Sequence, residues 1–152
     1  MKAARAIAAA MAASAALTGA ACAAQVGVHD PVMAKEKDRY YLFSTGPGIT
    51  FYSSGDMKTW KPEGRVFPEG PAWATKAAPS FNGHIWAPDI YHHDGKYYLY
   101  YSVSGFGKNT SAIGVTVNRT LDPRSPAYRW EDQDWWCSRC RAATCGTRST
   151  RT

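Results

Sequence analysis

The sequence predicts an all-β fold built from repeated units, and two observations carry that prediction. The first is a repeat. Asp30-Pro31-Val32 leads into Arg39-Tyr40-Tyr41-Leu42-Phe43-Ser44, and Pro88-Asp89-Ile90 leads through His92-His93-Asp94-Gly95 into Lys96-Tyr97-Tyr98-Leu99-Tyr100-Tyr101-Ser102. Each copy has an aspartate, a short apolar run, a charged turn and an aromatic strand ending in small residues. The step from Tyr40 to Tyr97 is 57 residues, a period that marks a propeller or a solenoid. The second is punctuation: from Val26 to Thr120 the chain reads as short strands broken by turn residues, without helical periodicity of useful length.

The elements follow in order. Arg39 to Thr45 reads as a strand, because tyrosine and phenylalanine suit a half-buried pleated surface. Gly46-Pro47-Gly48 reads as a turn, Ile49 to Ser53 as the returning strand, and Ser54-Gly55-Asp56 as the turn toward Trp60. Gly64 to His84, with Pro68, Pro71 and Pro79, is a long connection. Such a loop is functional or poorly ordered, and in a propeller it crosses the face where sites are built. The second unit repeats the first: Ile90 to His92, a turn at His93-Asp94-Gly95, Lys96 to Ser102, a Gly105-Phe106-Gly107 loop, and Ser111 to Val117. Hairpins at this spacing point to blades or a barrel.

The two ends differ from the body. Lys2 and Arg5, the alanine-rich run Ala6 to Ala21 and the small residues Ala21-Cys22-Ala23 read as a secretory signal peptide over residues 1–24. The run is too short and weakly apolar for a spanning helix. A lipoprotein anchor on Cys22 is the rival reading; it wants leucine where Gly19 stands. The expected location is secreted or periplasmic.

The net charge of +6 comes mostly from the ends. The leader holds Lys2 and Arg5, and the last 19 residues hold Arg139, Arg141, Arg148 and Arg151 against Asp134. Gln25 to Gln133 is left with 12 basic and 11 acidic residues. That balance offers no basic face to nucleic acid or an anionic membrane. Cys22 falls in the leader, and Cys137, Cys140 and Cys145 crowd into the tail, so no disulfide frames the body. The tail spacing C-x-x-C-x4-C lacks a second pair or a nearby histidine for a four-ligand zinc site.

A charge-balanced, aromatic-rich body with aspartates at strand starts has the makeup of a sugar-handling protein. Aromatic faces stack on sugar rings, and carboxylates do acid–base work on glycosidic bonds. Each feature also has a plain structural reading. Asp30 and Asp89 each neighbour a proline and suit turns, and Trp86 suits a core.

The residues narrow the choice. Val28-His29-Asp30-Pro31-Val32, then His84-Ile85-Trp86-Ala87-Pro88-Asp89-Ile90, resembles glycoside hydrolase family 43. So do Tyr101-Ser102-Val103-Ser104-Gly105-Phe106-Gly107 and Asn109-Thr110-Ser111-Ala112-Ile113-Gly114-Val115. Within that family the last stretch, with Leu121-Asp122-Pro123, looks most like the endo-acting α-1,5-L-arabinanases. The resemblance spans residues 25–133.

The resemblance implies a five-bladed β-propeller that hydrolyses arabinan, a pectin side chain of plant cell walls, with inversion. Five units of about 57 residues need roughly 285, so this chain holds about the first two blades. Asp30 takes the family's general-base role, His29 contacts substrate, Trp86 and Phe106 are sugar-facing aromatics, and Asp89 organises the site. A monomer is expected. No cofactor is expected in this chain, although full-length members of the family can hold an axial metal ion. The alternatives are an exo-acting arabinofuranosidase or β-xylosidase of the same family, and a non-catalytic carbohydrate-binding fragment.

The family also needs an orienting aspartate and a proton-donating glutamate beyond the second blade. No matching motif appears before Thr152, so the chain as written is expected to be close to inactive. After Gln133 the pattern changes to tryptophan, cysteine, arginine and threonine. Back-translating Cys145 to Thr152 and reading from the third base of the Cys145 codon permits W-N-A-I-D-P-N, the family's next aspartate motif. The same shift from Asp134 permits L-V-V-Q-S-V-P-R-R-D. Residues 134–152 are therefore expected to be an out-of-frame, disordered tail created by a one-base shift near Asp134.

Overall fold

The fold is two antiparallel sheets packed face to face, seen in a computed structural model that describes residues 25–139. The predicted signal peptide, Cys22 and the tail beyond residue 139 lie outside the described residues. The first sheet runs in chain order through β1 (Val32–Glu36), β2 (Arg39–Ser44), β4 (Thr50–Ser54) and β5 (Lys61–Arg65). The second runs through β6 (His84–His93), β7 (Lys96–Ser104), β8 (Ser111–Asn118) and β9 (Glu131–Arg139). A two-residue strand, β3 (Gly46–Pro47), leaves the first unit and pairs with β6, with Gly46 opposite Ile85 and Pro47 opposite His84.

The first sheet is thus a four-stranded meander, and the second is a like meander with β3 added at its edge. The two copies of the aromatic strand bury opposite faces. In β2, Tyr41 and Phe43 are buried; in β7, Tyr97, Leu99, Tyr101 and Val103 are. This follows from the face-to-face packing, because the side of the first sheet that meets the second is not the side of the second that meets the first. Tyr40 and Leu42 on one sheet, and Tyr98 and Tyr100 on the other, remain half-buried on the outward faces.

The core also includes Ile49, Phe51, Ile85, Ala112 and Leu121. Phe43 stacks on Phe51 at 5.5 Å, and Trp130 meets Phe43 edge-on at 5.9 Å. At the ends of the hairpins, Glu36 accepts hydrogen bonds from the Thr120 hydroxyl and the Leu121 amide, tying the sheets together.

Three expectations need correction. The Gly46-Pro47-Gly48 turn contains β3 and ties the sheets, with Gly48 N–H donating to the Gly83 carbonyl at 3.0 Å. A Cβ on Gly48, whose φ is 66°, would lie 2.0 Å from the Phe67 carbonyl oxygen, so glycine is required there. The 64–84 connection dives inward. It makes a single helical turn, α1 (Ala74–Ala77), and buries Val66, Trp73, Ala74 and Ala78. Its apolar residues find more contact area between the sheets than across a face. Last, the strand pattern does not stop at Gln133, because β9 continues to Arg139 alongside β8. Backbone pairing with β8 asks little of side-chain identity, and Trp135 gains contact with Trp73 at 5.4 Å.

Candidate active site

The β1–β2 hairpin builds the first part of the site. Val32 pairs with Phe43, and the same register carried two residues further sets Asp30 opposite Thr45. The Thr45 amide donates to the His29 carbonyl at 3.0 Å, and its Oγ1 donates to Asp30 Oδ2 at 2.8 Å. His29 Nδ1 lies 2.8 Å from the same oxygen. Oδ1 makes no hydrogen bond among the described residues. The Asp30 side chain is exposed, and its backbone φ of 45° turns it out of the strand line. The Thr45 hydrogen bond first, and His29 next, hold the Asp30 carboxyl below its ordinary value against a small opposing effect of burial.

The second part is aromatic. One residue beyond Thr45, Gly46 pairs with Ile85, whose neighbours in β6 are His84 and Trp86. The Trp86 ring lies 4.6 Å from Phe106 at an interplanar angle of 32°. His84 closes the group, 5.3 Å from Trp86 and 5.5 Å from Phe106. Phe106 is 70% exposed on its loop, so its face is open to a ligand. That loop is pinned by Gly105, where a Cβ would lie 1.9 Å from Ser80 Oγ. The first strands of the two sheets, β1 and β6, lie against each other. An exposed carboxylate ahead of β1 and an open aromatic platform on β6 and the β7–β8 loop are thus linked through Thr45, Gly46 and Ile85. The carboxylate and the aromatic rings are residue types suited to sugar chemistry.

The model of glycosyl hydrolases family 43 matches residues 24–139. The chain belongs to this family. It is 67% identical over 114 residues to the extracellular exo-α-(1→5)-L-arabinofuranosidase ArbA of Cellvibrio japonicus, covering 74% of this chain and 33% of that protein. It is 37% identical over 110 residues to the extracellular endo-α-(1→5)-L-arabinanase 1 of Bacillus subtilis, covering 70% and 33%. The solved structure of Cellvibrio cellulosa α-L-arabinanase complexed with arabinohexaose superposes with a TM-score of 0.75 at 62% identity, covering 77% of this chain and 37% of that one. The chain spans about a third of the length of these relatives.

Within this family 43 chain, Asp30 and His29 come together, as do Trp86 and Phe106. Asp89 stands apart. It is exposed on β6 opposite Tyr100, past an irregularity in the β6–β7 register between Trp86 and Asp89, and its carboxylate makes no hydrogen bond among the described residues. Two neighbours escaped the sequence reading. Thr45 was visible only through the hairpin register, and His84 only through pairing with β3. Among the described residues, no group of three or more histidine, cysteine or carboxylate side chains is placed to hold a metal ion.

Proposed function

We propose that this chain carries the N-terminal part of a secreted, inverting α-1,5-L-arabinan hydrolase built on a five-bladed β-propeller. The observation that carries the reading is the Asp30 carboxylate, held by Thr45 and His29, with Thr45 followed directly by Gly46, which pairs with the strand that carries Trp86 and its Phe106 partner. Asp30 is the general base. It takes a proton from water as the water oxygen attacks the anomeric carbon, and inversion leaves room for that water between two carboxyl groups. Trp86 and Phe106 stack on sugar rings, and Asp89 organises the neighbouring strand. The proton for the leaving sugar oxygen comes from a carboxylic acid outside residues 25–139.

The outward face of the second sheet favours a further blade on that side, because Tyr98, Tyr100, Val115 and Val117 line an open groove that a neighbouring sheet would cover. The relatives named extracellular support secretion. Their names also frame the mode of cleavage. The resemblance favoured endo action; the higher identity to a protein named as an exo-arabinofuranosidase supports the exo reading as the second one.

The test is hydrolysis of linear arabinan by the protein translated after restoring one base ahead of Asp134. Restored enzyme should degrade arabinan, and Asp30→Asn should lose about 10²–10⁴-fold in kcat. Full activity in the Asp30→Asn enzyme refutes the base assignment. Product length separates oligomers from single arabinose units.

A further inference from the structure

We propose that Thr45 is a positioning residue that holds the Asp30 carboxylate by Oδ2 and so presents Oδ1 to the attacking water. The inference rests on the general-base reading of Asp30 and deepens it. Both contacts to the carboxylate fall on one oxygen: Thr45 Oγ1 donates to Oδ2 at 2.8 Å, and His29 Nδ1 lies 2.8 Å from it. A carboxylate held at one oxygen has its plane and its free lone pairs fixed, which an exposed aspartate otherwise lacks.

Thr45 is itself held on both sides. Its amide donates to the His29 carbonyl, and the next residue, Gly46, is locked into β3 opposite Ile85. The hydroxyl is therefore tied to the backbone that carries Trp86. This residue thus joins the base to the strand that carries the aromatic platform. His29 is the weaker clamp, since its side chain is 81% exposed.

The hydrogen bond favours the ionised carboxylate, so removing it raises the Asp30 midpoint. The experiment is a carbon-detected NMR titration of the Asp30 side chain in the 152-residue chain. Wild type should titrate below the ordinary aspartate value of 3.8. Thr45→Val and Thr45→Ala should both shift the midpoint upward, and Thr45→Ser should match wild type. Two hydroxyl deletions are used so that one misfolded variant leaves the other informative. A wild-type midpoint in a folded Thr45→Val or Thr45→Ala chain overturns the proposal.

A second readout uses the frame-restored enzyme. The acidic limb of kcat/KM should move to higher pH in Thr45→Val and stay in place in Thr45→Ser. A purely structural role lowers the rate at every pH without moving the limb, and that result also overturns the proposal. The titration asks nothing of hydrolysis. A shifted midpoint alongside a fully active Asp30→Asn enzyme would refute the general-base reading and leave the Thr45 clamp standing.

Discussion

Trp73 and Asp132, 59 residues apart, are joined by a 2.9 Å hydrogen bond from the indole Nε1 to Oδ2. The other carboxylate oxygen accepts from the Tyr101 hydroxyl at 2.9 Å. One side chain on β9 thus satisfies two aromatic donors that sit 6% and 1% exposed in the core. Burial and the Asp132 charge push the Tyr101 hydroxyl far above its ordinary value, so it remains a donor at every pH the protein survives. Asp132→Ala strands both donors and should cost on the order of 2 kcal/mol, against about 1 kcal/mol for Trp73→Phe. Urea unfolding followed by far-ultraviolet circular dichroism reads this. An Asp132→Ala midpoint equal to wild type would show that water replaces the carboxylate.

Under the proposed function, Phe106 should separate ligand binding from stability. At 70% exposure it contributes little to the core. Phe106→Ala should leave the unfolding midpoint unchanged while weakening arabino-oligosaccharide binding by the frame-restored enzyme about fivefold, for a stacking loss near 1 kcal/mol. Trp86→Ala should weaken binding at least as much, since it also removes the partner of His84. Calorimetric titration with arabinotriose gives the affinities. Unchanged affinity in both variants would remove the platform from the substrate path.

The acid stability of the first sheet depends on Asp56. Its Oδ1 accepts from the Lys58 and Thr59 amides at 2.8 Å and from the Ser54 hydroxyl at 3.0 Å. These bonds, the Thr59 amide first, lower its pKa to about 2. A carboxyl with a depressed folded-state pKa stabilises above its unfolded value, 3.8, and that stabilisation fades as pH falls toward 2. The melting temperature of wild type should therefore fall more between pH 5 and pH 2 than that of Asp56→Asn. Parallel curves for the two proteins would remove Asp56 from the acid response.

The repeat was legible because both copies place a tyrosine-rich strand after a charged turn, and each became the second strand of a meander. Which face each strand buries was not legible. Alternation identifies two faces, but only the packing of sheet on sheet says that Tyr41 and Phe43 turn inward in one copy and Tyr97 and Leu99 in the other. Asp30, His29, Trp86 and Phe106 stood out as residue types suited to sugar chemistry. Thr45 and His84 did not, since a threonine at a strand end and a histidine before an aromatic are unremarkable until a register brings them into contact. The inward path of 66–83 was hidden for another reason: its prolines and glycines announce a loop, while the burial of Trp73 depends on Tyr101, Gly114 and Trp135 of the second sheet.

Asp134 sits at an irregularity of the β8–β9 ladder. Two steps along β8, from Gly114 to Thr116, face three steps along β9, from Trp135 back to Asp132, so an extra residue bulges there. Asp134 carries it with a φ of 63°, a conformation that glycine adopts freely and that aspartate tolerates better than most residues. Asp134 is followed by Trp135, Trp136 and Cys137. Tryptophan has a single codon, so one G restored ahead of the Asp134 codon reads Gly-Leu-Val-Val whatever codons Asp134 and Cys137 use. That sequence puts glycine at the bulge and a β-forming apolar run on β9. Sequencing the DNA from the Gln133 codon should show the shifted frame open past Thr152 and encoding Trp-Asn-Ala-Ile-Asp-Pro-Asn. A stop codon early in that frame would refute the shift. In the existing chain, Asp134→Gly should raise stability by about 1 kcal/mol in urea unfolding, and a loss of stability would mean that the bulge does not need glycine.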